Sequence, residues 1–282
     1  MKAEILKILK KEKDYVSGQE LCESLGVSRT AVWKAIRQLE EQGYVIEAVR
    51  NKGYRLVEEA DVLTVAELHS VLDTKWLGKE LEYYYETDST NNRARDAAEK
   101  GASHGFLAVA DCQTAGKGRR GRVWNSPHGT DIYMSFVLRP TFTPSQASML
   151  TLVAGMAVVK GVQKATGLSA MIKWPNDAVV NGKKICGILT EMSTEEDAIR
   201  YVVPGIGINV NTESFPPEIS DTATSLKLSL GHELKRAPLI GAVLKSFEQY
   251  YSRFMEYGDM TGLMDEYNEM LANRKRQVRV LD

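Results

Sequence analysis

Apolar positions over the first sixty residues recur at helical spacing and then switch to alternation. Ile5, Leu6, Ile8 and Leu9 form one helical face. Ser17-Gly18-Gln19-Glu20 reads as a capping box, with Ser17 as N-cap, and opens a short helix that carries Leu21 and Leu25 and ends at Gly26. Ser28 caps the next helix, where Val32, Ala35, Ile36 and Leu39 recur on one face and Gly43 stops the run. Tyr44 to Val49 and Gly53 to Val57 then read as short strands around Arg50-Asn51-Lys52. Beyond the acidic break Glu58-Glu59-Ala60-Asp61, Thr64 caps a helix through Leu72. Tyr83-Tyr84-Tyr85 alternates into a strand, and residues 90–100 predict a helix. Residues 107–110, 131–138, 170–173, 184–192 and 201–210 predict strands. Residues 145–166 predict one long helix with Pro144 at its start, and 238–257 and 259–272 predict two more.

Helix, tight turn, helix and hairpin form the layout of a winged helix-turn-helix, which sets a first domain at residues 1–60. Its second helix leaves Ser28, Arg29, Thr30, Trp33, Lys34 and Arg37 outside the buried set, and Arg50 and Lys52 sit at the wing tip. Residues 28–57 hold six Lys or Arg against three Glu, so the positive excess lies where DNA phosphates and base edges would be met. The alternative is a winged helix used for protein contacts, and an exposed Trp33 could instead pack against the wing. Residues 61–275 alternate strands and helices with short turns, which predicts an α+β domain around a mixed or antiparallel sheet.

Composition narrows the class. A chain of 282 residues with 43% hydrophobic and 26% charged content suits one large globular domain or two smaller ones. The net charge of −1 says nothing about partners. No run of about 18 apolar residues predicts a membrane span, and the first thirteen residues lack the apolar run of a signal peptide. The three cysteines, Cys22, Cys112 and Cys186, form no C-x-x-C pair, which argues against a disulfide framework or a zinc site, and the four histidines are scattered. No metal site is expected, and the expected compartment is the cytoplasm.

The most concentrated chemistry is Gly116-Lys117-Gly118-Arg119-Arg120-Gly121-Arg122. Three glycines allow close backbone approach, and four cations can grip carboxylate or phosphate. The glycines fit G-x-G-x-x-G, but Val123-Trp124-Asn125-Ser126-Pro127 follows as strand and turn rather than the helix a dinucleotide fingerprint needs. No Gly-Lys-Ser/Thr closes the loop as a P-loop would, and the partner motifs of kinases are missing. What remains is a mobile anion clamp, or a basic surface loop that touches nucleic acid.

Other polar segments surround it in sequence. Asp88-Ser89-Thr90-Asn91 closes a strand and opens a helix; its hydroxyls are N-caps or partners of a polar ligand head. Gln113 offers an amide just before the loop. Lys173-Trp174-Pro175-Asn176-Asp177 packs a cation and a carboxylate into five positions. Lys183-Lys184-Ile185-Cys186-Gly187-Ile188-Leu189 sets lysines at the mouth of an apolar strand. Gly205-Ile206-Gly207-Ile208-Asn209 is a strand whose glycines mark a close approach.

In this order, the five motifs resemble the biotin protein ligases, and the winged helix makes the chain similar to the bifunctional bacterial form, both ligase and repressor of biotin genes. The resemblance spans residues 1–280. It implies a class II aminoacyl-tRNA synthetase-like mixed-sheet catalytic domain that uses biotin and ATP with Mg²⁺. It implies adenylation of biotin, then transfer to a lysine of the biotin carboxyl carrier protein of acetyl-CoA carboxylase. Arg119, Lys184 and Asp177 become the catalytic candidates. Ser89, Thr90, Asn91, Gln113, Gly116, Lys117, Gly118, Arg119, Lys184 and Gly187 become biotin-binding candidates. Arg119, Arg120, Arg122, Trp124, Lys173, Asn176 and Asn209 become ATP or adenylate candidates, with Trp124 walling the adenine and Asn209 reading its edge. Asp177 is assigned to orienting a cation or Mg²⁺, or to deprotonating the acceptor lysine. A ligand-promoted homodimer on biotin operator DNA follows from the same resemblance. Family members usually end in an SH3-like domain, and residues 276–282 read as its first strand, so that domain is expected to be largely absent. A sensor that has lost turnover, and a lipoate ligase, are the competing readings.

Overall fold

Ser28 and Ser17 decide the first unit. The Ser28 hydroxyl accepts the Ala31 N–H at 3.3 Å and the Ser17 hydroxyl accepts the Glu20 N–H at 3.0 Å, so each starts a helix where the sequence predicts one. The computed structural model describes residues 1–12, 14–58, 61–196 and 198–274. Helices α1 (Lys2–Lys11), α2 (Gly18–Leu25) and α3 (Arg29–Glu41) precede an antiparallel hairpin of β1 (Val45–Val49) and β2 (Gly53–Glu58). Gly26 ends α2 in the left-handed region, which its missing Cβ permits. Ile5, Leu6, Leu9, Leu21, Val32, Ile36 and Leu39 close the core.

The first compact unit runs to Val71 rather than stopping at residue 60. The helix α4 (Val65–Val71), capped by Thr64, packs on α1. Its Glu67 is buried and is engaged by Lys10 and by the Tyr44 hydroxyl. A buried carboxylate needs such partners, and they belong to the first unit.

The second unit, from Leu72 onward, is built on a seven-stranded sheet. Its strands are β3 (Leu81–Tyr84), β4 (Leu107–Ala110), β5 (Ile132–Phe136), β6 (Ala170–Lys173), β7 (Asp177–Val180), β8 (Lys183–Glu195) and β9 (Ala198–Ile208). The order is β3-β4-β5-β9-β8-β7-β6, with β3 parallel to β4 and the other pairs antiparallel, so the sheet is mixed. Helix α5 (Thr90–Glu99) follows β3. The predicted helix over 145–166 divides at Ser148-Met149 into α6 (Pro144–Ala147) and α7 (Leu150–Thr166). The stretch Pro144–Thr166 is long and apolar enough to cross a membrane, yet 61% of its apolar window is buried inside the protein. It is the central core helix, packed on α9 (Arg236–Tyr257), where a Cβ on Gly161 would stand 2.8 Å from the Val243 backbone. The helices α8 (Leu226–Leu230) and α10 (Met264–Met270) complete the unit. The strand β7 and helix α8 have no counterpart in the sequence prediction. The strand expected over residues 276–282 lies outside the described residues.

Two buried charges on α9 fasten it within the second unit. Glu248 on α9 accepts the backbone N–H groups of Lys75, Trp76 and Leu77, each at 2.8 Å. Arg236, 2% exposed, donates to Asp111 Oδ1 at 2.8 Å and to the Asp131 carbonyl at 3.2 Å.

Candidate functional site

Three glycines make room for the site. On adjacent strands Gly187 pairs with Gly207 and Leu189 with Gly205, and Ser135 of β5 pairs with Gly205 from the other side. Without side chains at 187, 205 and 207, the sheet face is a shallow trough. Asn91 lies over Gly205 and Trp124 lies over Gly187 and Gly207; a Cβ at 205 would stand 1.8 Å from Asn91 Oδ1, and one at 207 would stand 2.6 Å from the indole.

A continuous hydrogen-bond chain fixes the polar wall. Gln113 Oε1 accepts the Thr90 N–H at 2.8 Å and the Thr90 hydroxyl at 3.1 Å, and Gln113 Nε2 donates to the Ser126 hydroxyl at 2.9 Å. Ser126 donates to the Trp124 carbonyl at 3.0 Å. Ser135 Oγ lies 2.7 Å from Asn91 Oδ1 and 2.8 Å from Thr90 Oγ1, while Asn91 Nδ2 donates to Glu191 at 2.7 Å and to the Leu189 carbonyl at 3.3 Å. Each amide thus has one orientation that satisfies the network. Ser135, Ser126 and Glu191 were missed in the sequence; nothing in the local pattern marks a serine in an apolar strand as a partner for residues over forty positions away. Asp88 anchors the start of α5, taking the Ser89 N–H and Asn92 Nδ2, each at 2.7 Å. Burial opposes its charge, but these bonds, with Thr87 and Arg93, hold the carboxyl below its ordinary range.

Ser89, Thr90, Asn91, Gln113, Lys117, Gly118, Arg119, Trp124, Asn176, Lys184 and Gly187 line one cavity of about 50 Å³. A second cavity of about 480 Å³ opens beside it, walled by Leu152, Trp174 and Met192, and Arg119 and Asn176 border both. Gly116 is pressed against the Trp124 carbonyl and Ser126, where a Cβ would stand 2.3 Å from the carbonyl oxygen. Lys184 Nζ lies 2.7 Å from Asp177 Oδ1, a charge contact without hydrogen-bond alignment, and 5.3 Å from the centre of the Trp124 ring. Lys117 is drawn to Asn92 at 2.7 Å. Asn176 donates to the Ile188 carbonyl at 3.0 Å.

Several expected residues stand elsewhere. Arg120, at φ 59°, and Arg122 are exposed on the outer turn of the loop and do not line the cavity. Lys173 is exposed at the end of β6. Asn209 has its amide turned to the Thr224 carbonyl at 3.1 Å and lies off the cavity. Trp124 lies on the glycine floor, with its indole N–H buried and without an acceptor.

On the first unit, Arg29, Thr30, Lys34, Arg37, Arg50 and Lys52 are exposed, as is Trp33 at 50%. Arg29 donates to Gln19 at 3.0 Å, Arg37 covers the Trp33 ring at 5.6 Å, and Lys52 stands 5.5 Å from the Tyr15 ring. Trp33 therefore carries a side chain of its own helix over its ring. Ser28 spends its hydroxyl on capping.

Residues 83–209 match the biotin/lipoate A/B protein ligase family, and residues 2–55 match a helix-turn-helix domain. The Bifunctional ligase/repressor BirA of Bacillus subtilis is 46% identical over 247 residues, spanning 87% of this chain and 76% of that protein. This chain belongs to the bifunctional biotin ligase/repressor family. The Escherichia coli member is 30% identical, over 87% of this chain and 75% of that protein. Among solved structures, the Aquifex aeolicus biotin protein ligase in complex with biotin and ATP superposes with a TM-score of 0.60 at 34% identity, covering 69% of this chain and 79% of that one. For a bifunctional biotin ligase/repressor, the two units separate the roles: the cationic cavity lies in the second, the exposed basic helix in the first.

Proposed function

We propose that the chain is an ATP-dependent biotin protein ligase that also represses biotin genes through its winged helix. The observation that carries it is the meeting, in one cavity, of a neutral hydrogen-bonding wall (Thr90, Asn91, Gln113) with two cations (Arg119, Lys184). A ureido ring needs donors and acceptors without net charge. A carboxylate and a phosphate that must approach each other need positive charge fixed beforehand.

In the first step a biotin carboxylate oxygen bonds to the α-phosphorus of ATP. The bond to the β-phosphate breaks, and pyrophosphate leaves with the electron pair. In the second, a neutral lysine amine of the carrier protein attacks the acyl carbon, the acyl–oxygen bond breaks with AMP taking the electron pair, and the amine proton passes to solvent. Lys184, held by Asp177, meets the developing charge. Arg119, bordering both cavities, can contact two anions at once. Asp177 is committed to Lys184, which favours its role as orienter of that cation. Among the described residues no group of three metal-ligand side chains lines this cavity; Mg²⁺ suits arrival on the ATP phosphates with its own waters.

A cavity of about 50 Å³ is far below the roughly 300 Å³ or more of small-molecule sites. The Trp124 indole therefore leaves the glycine floor when biotin enters, which frees it to wall the adenine as the loop closes and brings Arg120 and Arg122 inward. Closure excludes water from the mixed anhydride. The ordered loop then favours a homodimer, which sets two winged helices on a two-fold operator. The carrier partner is that of acetyl-CoA carboxylase, in keeping with the Paracoccus denitrificans relative named for that substrate. Adenylate yield tests the assignment of the cations. Arg119→Ala and Lys184→Ala should each slow adenylation by about 100- to 1000-fold; wild-type yield and lifetime in either variant would remove that residue from the chemistry.

A further inference from the structure

We propose that Glu86, Cys112 and His128 form a binding site for a thiophilic divalent cation of the zinc class, at the base of the ligand loop. Nothing local marks it, because the three residues are separated by more than a dozen positions and match no metal-ligand spacing. The fold brings them together: Glu86 follows β3, Cys112 follows the neighbouring β4, and His128 lies at the exit of the loop that carries Arg119 and Trp124. One ligand atom from each lies within 4.8 Å of the other two.

The geometry around His128 is that of a prepared ligand. Its Nδ1 lies 3.2 Å from Asp111 Oδ2, where an Nδ1–H can donate while Nε2 serves as the ligand atom. Nε2 faces Glu86 Oε2 at 3.4 Å. Tyr85 stacks on the ring at 4.5 Å between centres, fixing its plane. Asp111 cannot drift, because its Oδ1 takes Arg236 at 2.8 Å and its Oδ2 takes the Gly129 N–H at 3.0 Å. A carboxylate that holds one histidine nitrogen while the other is offered outward is the usual outer support of a zinc-bound histidine.

Charge and distance agree. Ligands on a tetrahedral zinc stand roughly 3.3–3.6 Å apart, given bonds of about 2.0–2.3 Å. The Glu86 and His128 atoms already meet that spacing, so only the Cys112 thiol has to close in. One thiolate and one carboxylate neutralise a divalent cation. Binding forms a metal–sulfur bond and releases the thiol proton to solvent. Glu86 and His128 are exposed, which leaves the fourth position open to water. Bound metal would clamp β3, β4 and the loop exit together.

The test uses the full chain, stripped with chelator and titrated with Co²⁺ and then Zn²⁺. The expected result is one equivalent of Co²⁺ with a sulfur-to-cobalt charge-transfer band, release of about one proton per metal, and displacement by Zn²⁺. Cys112→Ser should abolish the band, and His128→Ala, a change on an exposed loop, should weaken binding at least 10-fold, whereas Cys22→Ser and Cys186→Ser should leave both intact. Absence of a saturable band, or a band that survives Cys112→Ser or persists at full affinity in His128→Ala, overturns the assignment.

Discussion

Gly205→Ala probes the packing that holds the polar wall in place. A Cβ at this position would stand 1.8 Å from Asn91 Oδ1 and 2.7 Å from Asn91 Cγ, far inside contact distance. Backbone strain plays no part, because Gly205 does not have a positive φ. Asn91 has no cheap way to yield. Its Oδ1 is 2.7 Å from the Ser135 hydroxyl and its Nδ2 is 2.7 Å from Glu191, and Ser135 is completely buried. Displacing the amide breaks both bonds, while the Ser135 hydroxyl keeps Thr90 Oγ1 at 2.8 Å as its remaining partner. At about 1 kcal/mol net for the neutral bond and about 1.5–3 kcal/mol for the bond to the Glu191 carboxylate, the cost is roughly 2–4 kcal/mol. The expected outcome is a lower unfolding midpoint for the larger unit and biotin affinity at least 10-fold weaker. Asn91→Ala alone removes the same bonds but leaves space above the glycine. The double variant should therefore behave much like Asn91→Ala, with a coupling of at least about 1 kcal/mol. Urea unfolding and calorimetric titration with biotin supply both readouts. Additive losses, or a harmless Gly205→Ala, would refute the claim that Asn91 is clamped on this glycine.

Other expectations are independent of it. Trp124 fluorescence should change saturably with biotin as the indole leaves Gly187 and Gly207, and the signal should vanish in Trp124→Phe; an unchanged spectrum at saturation would mean that the ring stays on the floor. Glu248→Ala should destabilise the second unit by about 3 kcal/mol, because three backbone N–H groups lose their acceptor, and a midpoint within error of wild type would contradict this. Lys34→Ala on the exposed face of α3 should weaken operator binding and lower the salt slope by about one, measured by fluorescence anisotropy across a salt series; an unchanged slope would take Lys34 off the phosphates. Asp88 is held below the ordinary carboxylate range, so its contribution is present above the unfolded-state value and is lost as pH falls through the folded one. Asp88→Asn should flatten that acid limb of stability, and an identical acid profile would place the effect elsewhere.

Local signals were legible where one residue type has one structural use. Ser17, Gly26 and Ser28 set the ends of α2 and α3, and the basic exposed face of α3 follows from its buried stripe. Signals failed where tertiary partners decide. The helix α4 reads as part of the larger region until Glu67 is seen to serve Lys10 and Tyr44. The division at Ser148-Met149 is invisible because α7 is buried on nearly every side and its apolar pattern has no phase to lose. The strand β7 was missed, although Asn181 at φ 50° and Gly182 at φ 80° form the positive-φ pair that marks a tight hairpin.

The same division applies to the site. Glycines 187, 205 and 207 announced a close approach, but not what approaches; the answer, Trp124 and Asn91, comes from segments far away in sequence. Asn209 looked like an extension of the glycine strand toward the ligand, whereas its amide serves the Thr224 carbonyl. The histidines and cysteines appeared scattered because β3 and β4 are parallel neighbours, a pairing that places residues 86 and 112 side by side without any local mark.

The most direct test of the central claim is pyrophosphate release by this chain with MgATP, comparing biotin, lipoate and no acid. Release with biotin alone, reaching about one equivalent per chain and stalling without carrier protein, is the expected result: a single adenylation with the product held in the closed site. Release that favours lipoate would assign the site to a different acid, and no release with any acid, despite biotin binding, would contradict catalysis and leave a sensor.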